Sequence, residues 1–227
     1  MSIVLVVHRL RPNGGAMKPR LLVFARAPVP GAAKTRLMPL LGAEGAAMAQ
    51  ARFLRHTLAT AKAWRDAGDG AVELWCAPDA RHPAFTQCAR DFAVSLMVQA
   101  PGDLGARMWL ALCASLLHGA PAVLIGTDCP WLTPAHIDAA HLRLAGHDAV
   151  FVPADDGGYV LAGLARAVPE LFAGVLWGSA GVMAQTRARA RLAGASIAEL
   201  ASLPDVDTPQ DWARLTADPR FAHLTKA

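Results

Sequence analysis

Apolar positions in this chain come in short runs, and their spacing alternates between two periods. Arg20–Arg26 (RLLVFAR) is an unbroken apolar stretch between two arginines, the pattern of a strand buried on both faces. Over residues 44–66 the period becomes helical. Ala47, Ala51, Leu54, Leu58 and Ala61 share one face, while Arg52, Arg55, Lys62 and Asp66 lie off it. Residues 72–77 and 95–99 return to strand, with a short helix over 83–91 between them. Residues 104–118 are apolar on nearly every side, which predicts a helix buried all round and stopped by Gly119. A further buried strand spans 122–127 (AVLIGT), and Thr133-Pro134 supplies the N-cap and first-turn proline of a helix to about residue 145. Strands at 149–152 and 159–164 flank a tight Asp-Asp-Gly-Gly turn, and a helix follows near 179–192. Thr208-Pro209, with Asp211 three residues past the cap, opens the last helix.

Strands separated by helices at this rhythm predict a single α/β domain, a three-layer sandwich on a mostly parallel, mixed sheet. Length agrees, because 227 residues are ample for one core and short for two. With 54% hydrophobic and 18% charged residues, a largely disordered chain is excluded. No apolar run reaches the roughly 18–20 residues of a membrane-spanning helix. The net charge of +4 rests mainly on scattered arginines rather than a basic stripe, which argues against a nucleic-acid groove and suits phosphate handling. Cys76, Cys88, Cys113 and Cys129 show neither a C-x-x-C pair nor zinc spacing with histidine, so they read as reduced thiols of a cytoplasmic protein. Residues 2–7 are too few for a signal-peptide core, and residues 8–17 read as linker. Residues 1–17 are therefore expected to be a dispensable leader, and 18–227 the domain.

In an open α/β sheet, ligands bind beyond the carboxyl ends of the strands, so segments that directly follow a strand hold the candidate chemistry. After the first strand comes ARAPVPGAAKTRL (residues 25–37). Its small residues let backbone N–H groups approach a ligand, and Lys34 and Arg36 can neutralise a di- or triphosphate. Neither G-x-x-x-x-G-K-[ST] nor G-x-G-x-x-G is present, and the same loop also reads as an ordinary solvated connection. Gly126-Thr127-Asp128-Cys129-Pro130 puts a carboxylate at the end of a buried strand, suited to a divalent metal on phosphate oxygens or to capping a turn. Asp155-Asp156-Gly157-Gly158-Tyr159 reads as a solvated turn, or as the wall of an acceptor pocket; a buried carboxylate pair is costly without a cation. Asp205 and Asp207 alternate to one side just before the last helix. Asp207 stands 79 residues after Asp128, so only the fold can bring the two onto one metal. Asp103 is a candidate helix cap, with Arg107 in the following first turn, where it can face an anion.

Taken in order, FARAPVPGAAKTRL, GDLGARM, LIGTDCPWL, PADDGGYVLAGL, WGSAGVMAQT and DVDTPQDW resemble the bacterial glycosyltransferase-A-like family of nucleotide-diphospho-sugar transferases, the arsenosugar-biosynthesis-type glycosyltransferases. The likeness runs from about residue 18 to residue 215. It implies the nucleotide-diphospho-sugar transferase (GT-A, Rossmann-like) fold, with a nucleotide over the first half of the sheet. On that likeness Ala25, Arg26, Pro30 and Gly31 hold the nucleotide, and Lys34 and Arg36 lie near its phosphates, joined by Arg107. Asp128 matches a single metal-binding carboxylate, and Asp207 the late carboxylate of related nucleotidyltransferases. Asp156, Gly157, Gly158 and Tyr159 shape the acceptor side, and Asp128 and Lys34 serve catalysis. Residues 177–180 (WGSA) depart from the family pattern, with Gly and Ala where hydroxyl residues are usual.

The resemblance implies a transferase dependent on Mg²⁺ or Mn²⁺ that moves a glycosyl group from a nucleotide sugar to a small-molecule acceptor. Lys34-Thr35-Arg36-Leu37 and the DVDTP segment also resemble nucleotidyltransferases of the phospholactate guanylyltransferase and molybdenum-cofactor types, which consume a nucleoside triphosphate and release pyrophosphate. A third reading is a nucleotide-binding protein without catalysis, since Asp128 stands alone where D-x-D would be the stronger pattern.

Overall fold

The computed structural model describes residues 18–226, so the expected leader lies outside the described residues. Seven strands, β1 (Arg20–Arg26), β2 (Ala71–Ala77), β3 (Ser95–Val98), β4 (Ala122–Ile125), β5 (Ala149–Pro153), β6 (Tyr159–Leu164) and β7 (Ile197–Glu199), form one sheet in the order 3-2-1-4-6-5-7. β1 pairs in parallel with β2 and β4, β2 with β3, and β5 with β7. β6 runs antiparallel to both of its neighbours, β4 and β5. Parallel neighbours need a crossover between them. The helices α1 (Met38–Ala67), α2 (Pro83–Phe92), α3 (Leu104–Leu117), α4 (Pro134–Leu144) and α5 (Val182–Leu192) provide the connections, and α6 (Pro209–Ala217) and α7 (Ala222–Thr225) follow the sheet.

The apolar runs are continuous because both faces of the sheet are covered. From β1, Leu21, Val23 and Ala25 join a cluster with Leu54, Leu58 and Ala61 of α1, Phe85 of α2, and Ile137 and Ala140 of α4. Leu22 and Phe24 point the other way, against Met108, Ala111 and Leu112 of α3 and Met183 and Ala190 of α5. The expected mixed, mostly parallel three-layer sandwich is the one observed. A smaller third cluster joins Leu37 and Phe53 to Val206, Leu215, Phe221 and Leu224, so the segment after β7 is fastened back onto α1. Among the described residues no helix is long and apolar enough to cross a membrane, and all four cysteines are free thiols.

Several boundaries differ from expectation for identifiable reasons. α1 starts at Met38 rather than near 44, because Gly42 at φ 70 joins two helical pieces across a kink that an apolar period does not register. Its buried face is centred on Ala46, Gln50, Phe53, Leu54 and Thr57. β4 stops at Ile125 and releases Gly126 and Thr127 to the loop that follows. β7, three residues long, is too short to show a period and exists through its pairing with β5. α3 is not buried all round: Met108, Ala111 and Leu112 are sealed, but Leu104, Leu110 and Leu117 are each about half exposed. An outer-layer helix keeps one solvent face even when that face is apolar.

This asymmetry of α3 is measurable. Leu112→Ala should cost about 2–5 kcal/mol in urea unfolding, the range for an emptied core site. Leu110→Ala should stay within about 0.5 kcal/mol, as for a surface change. Equal losses would mean that α3 buries both faces.

Candidate active site

The carboxyl ends of β1, β4 and β5 open into one cleft of about 560 Å³. Arg26, Lys34 and Arg36 enter from the loop after β1, and Gly126, Thr127 and Asp128 from the loop after β4. Asp156, Gly158 and Tyr159 come from the β5–β6 turn, Trp177 and Ser179 from the stretch before α5, and Asp205 and Asp207 from the segment after β7. Four strand-end segments singled out in the sequence therefore meet in one cavity.

Lys34 sits at its centre. Its backbone is left-handed, φ 48, an uncommon conformation for a residue with a side chain. Its ammonium lies 2.7 Å from Asp128 Oδ1 and 3.1 Å from Asp207 Oδ1, and donates to the Val206 carbonyl at 2.6 Å. It stands over the Phe53 ring, and its side chain is only 4% exposed. Burial alone would lower the Lys34 pKa, but Asp128 and Asp207 outweigh it and hold the value above the ordinary lysine range. The ammonium stays charged. The two carboxylates 79 residues apart thus meet, but on a lysine (not on each other), and Val206 N–H reinforces the junction by donating to the Asp128 carbonyl at 2.9 Å. Arg36 is 3.7 Å from Asp207 and largely exposed, free to turn toward a ligand.

Behind Asp128 lies a short buried relay. The Gln50 amide donates to the Thr127 hydroxyl at 3.1 Å and to the Arg26 carbonyl at 3.2 Å, and the Thr127 hydroxyl donates to Asp128 Oδ1 at 3.3 Å. In front, carboxylates accumulate. Burial first, then the charges of Asp156, Asp207 and Asp128, push the Asp205 carboxyl up to about 7. Asp128 and Asp207 touch the Lys34 ammonium, Asp205 and Asp156 stand close enough to act on one another, and all the donors are hard oxygens. Among the described residues no three His, Cys, Asp or Glu side chains converge as a metal cage. Mg²⁺ needs no such cage, since it commonly takes one or two carboxylates and completes its shell with water and substrate phosphates.

The remaining candidates divide. Ala25 and Arg26 border the cleft, and Gln99 donates to the Ala25 carbonyl. Pro30 and Gly31 are exposed outside it, at the turn that delivers Lys34. Arg107 lines the cleft but is tied to the Gly102 carbonyl at 2.9 Å, while Asp103 caps α3 through the Ala106 N–H. Asp156 accepts from the Gly158 N–H at 2.8 Å within its turn. Gly157 does not line the cleft. A Cβ there would lie 2.0 Å from the Ala180 carbonyl, and Gly157's own carbonyl accepts from Met183 N–H at 2.9 Å, so this glycine seats the wall that carries Trp177. Tyr159 and Trp177 meet edge to face at 6.2 Å, and neither the Tyr159 hydroxyl nor Trp177 Nε1 has a hydrogen-bond partner among the described residues. Burial raises the Tyr159 pKa, which keeps the hydroxyl protonated. Gln50 and the Val206 carbonyl are components of the cluster that strand-end reading passed over, and Thr127 and Asp205, though inside the strand-end segments, were given no part in it. Gln50 left one signal, a polar side chain on the apolar face of α1.

The sheet order, the crossovers and a cleft at the strand ends define the fold of nucleotidyl- and nucleotide-sugar transferases. The chain belongs to a family described as an uncharacterized protein conserved in bacteria (DUF2064), whose model matches residues 60–179. Among solved structures, a candidate nucleotide-diphospho-sugar transferase from Desulfovibrio desulfuricans G20 is 28% identical, over 92% of this chain and 94% of that one, with a TM-score of 0.78. A nucleotidyl transferase from Methanothermobacter thermautotroptrophicus is 18% identical over 91% and 98% of the two chains, with a TM-score of 0.61. Rv0371c from Mycobacterium tuberculosis H37Rv, solved with manganese, is 21% identical over 89% and 100%, with a TM-score of 0.54. These last two likenesses concern the fold alone. No curated protein matches the chain.

Two measurements test this geometry. Lys34→Met should cost about 1–3 kcal/mol, the penalty for stranding acceptors that a charged donor had satisfied. Pairing it with Asp128→Asn should cost less than the sum, because the two share one contact; additive losses would separate them. Asp205 titrates in the opposite sense from an ion-paired aspartate. Its folded pKa is raised, so its contribution to stability is full below the unfolded value near 4 and is lost as pH rises toward 7. In EDTA, Asp205→Asn should therefore raise the melting temperature more at pH 8 than at pH 5. A gain independent of pH would show that Asp205 carries no raised pKa.

Proposed function

We propose that this chain transfers a group from a nucleotide-activated substrate, and that the group is a sugar passed from a nucleotide-diphospho-sugar to a small-molecule acceptor. The observation that carries the reading is one cleft with a basic rim, a carboxylate cluster and a further end lined by Asp156, Tyr159 and Trp177. The first two features suit a diphosphate, and the third leaves room for a sugar and its acceptor. The resemblance to arsenosugar-type glycosyltransferases and the 28% identity to the Desulfovibrio protein support the same choice.

In this mechanism the residues divide the charge between them. Arg36, exposed beside Asp207, and Arg26 neutralise the diphosphate as it becomes the leaving group. Lys34 keeps Asp128 and Asp207 at a fixed separation instead of reaching the phosphates itself. Asp128, held by the Thr127–Gln50 relay, with Asp207 beside it, would hold Mg²⁺ or Mn²⁺, which when bound supplies further charge neutralisation at the leaving diphosphate. Tyr159, kept protonated, donates a hydrogen bond to the sugar or acceptor. Buried Cys129, whose thiol is pushed up to about 12, remains protonated and takes no nucleophilic part.

A second reading, nucleotidyl transfer from a nucleoside triphosphate, uses the same rim and carboxylates and is favoured by the fold shared with nucleotidyltransferases. Incubation with UDP- and GDP-sugars, and separately with nucleoside triphosphates, separates the two. Release of nucleoside diphosphate supports glycosyl transfer; pyrophosphate selects the second reading. Saturable nucleotide binding with neither product would leave a binding protein.

Two variants probe the proposed roles. Arg36→Ala should weaken nucleoside diphosphate binding by about 1.5–3 kcal/mol, the scale of a hydrogen bond to a charged group, and leave nucleoside binding unchanged. Equal losses for both would mean that Arg36 reads the base. For Asp128→Asn, Asp207→Asn and their double variant, coupling that persists in EDTA belongs to Lys34. Only coupling that appears with Mn²⁺ belongs to a shared metal, and its absence would retire Asp207 as a ligand.

A further inference from the structure

On the far side of the Asp128 loop, α1 presents His56 to the segment that ends in α7. His56 Nε2 lies 3.0 Å from the Pro130 carbonyl, and His56 Nδ1 lies 3.2 Å from His223 Nε2. A carbonyl only accepts, so Nε2 of His56 carries the hydrogen and Nδ1 presents its lone pair to His223. The edge of the Phe221 ring meets the His56 ring at 5.8 Å and fixes its plane. The His223 ring is exposed and approachable from solvent, and a shallow groove of about 210 Å³ opens beside His56 along Pro130, Trp131 and Phe221.

These are the features of a half-built metal site. Two imidazole nitrogens bound to one tetrahedral zinc at ordinary Zn–N lengths stand about 3.3 Å apart, close to the separation here. Metal-bound histidines characteristically donate their other N–H to a backbone carbonyl, which orients the ring and selects the tautomer; Pro130 does this for His56. Of the nearby arginines, Arg220 is paired with Asp218 at 2.6 Å, and Arg52 is directed to the Leu224 carbonyl at 3.3 Å.

We propose that His56 and His223 bind one borderline transition-metal ion, Zn²⁺ in the first instance, with water in the remaining positions. Imidazole pairs suit Zn²⁺, Cu²⁺ and Ni²⁺ and not Mg²⁺, which sets this site apart from the oxygen-lined cleft. In the apo form the pair is joined by one hydrogen, donated from His223 Nε2 to His56 Nδ1. Zn²⁺ takes that place when the His223 hydrogen moves to Nδ1, so no proton need leave the protein. The bound ion clasps α1 to α7 and, through Pro130, steadies the loop that carries Asp128.

The test uses the untagged full chain, stripped with EDTA and held in millimolar Mg²⁺ so that the cleft carboxylates see a competing hard cation. Titration calorimetry with ZnCl₂ should give one equivalent bound, and Zn²⁺ should raise the melting temperature. His223→Ala, a change at an exposed position that leaves the fold intact, should abolish both signals. Asp128→Asn should retain both. No Zn²⁺ heat in the wild type, unchanged Zn²⁺ binding by His223→Ala, or loss of it in Asp128→Asn would each overturn the site. The first outcome would leave the histidine pair as a hydrogen bond alone, and the other two would place the ion elsewhere.

Discussion

A single buried ammonium ties together parts of the chain that are otherwise far apart. Lys34 belongs to the first loop, Asp128 to the end of β4, and Val206 and Asp207 to the segment after β7, and all converge on one nitrogen. A buried charge is costly unless every donor finds an acceptor. Three oxygens at 2.6–3.1 Å meet that demand, and this offsets the unfavourable left-handed backbone at Lys34. The third hydrophobic cluster follows the same path, since Leu37, three residues after Lys34, packs with Val206. Polar and apolar contacts therefore close the molecule along one seam.

The same seam separates two basic residues that look equivalent in the sequence. Lys34 and Arg36 are two positions apart on one loop, yet one is 4% exposed and structural while the other is 64% exposed and faces the cleft. A compact ammonium satisfies three converging oxygens, whereas a guanidinium forks outward and suits a phosphate. In the proposed reaction this division keeps the acidic cluster in place without consuming the positive charge that the leaving group requires.

The fold was legible because the central strands β1, β4, β5 and β6 are buried on both faces and the longer helices show their own period. The sheet's class follows from the alternation that begins with RLLVFAR. What periodicity missed is what depends on distant pairing: β7 has only three residues and is held by β5, and the early start of α1 depends on the backbone freedom of Gly42. Of the residues that line the cleft, Asp128, Asp156, Asp207, Lys34 and Arg36 were readable as polar residues following strands. The bridging role of Lys34 was not, because Asp207 lies 173 residues from it and no local pattern encodes that meeting. Gly157 was misleading in the opposite way. Its place in an Asp-Gly-Gly turn suggests a ligand contact, while its actual constraint is the backbone of Ala180 pressed against it.

The kinship of the first loop with the segment around Val206 bears on how the protein is made. A ribosome releases β1 to β6 long before Asp207, and those strands already include both immediate neighbours of β1 and the β4–β6 pair. A growing chain can thus form most of its sheet while the Lys34 ammonium still lacks two of its three oxygens. Until the later segment arrives, that loop has no reason to hold a left-handed backbone, and Asp128 has only part of its support. Completion of the cleft therefore depends on the stretch of chain after β7 and not on β1 to β6 alone. The core and the site thus draw on different parts of the sequence, the core on β1 to β6 and their helices, the site on the segment that carries Val206 and Asp207 as well.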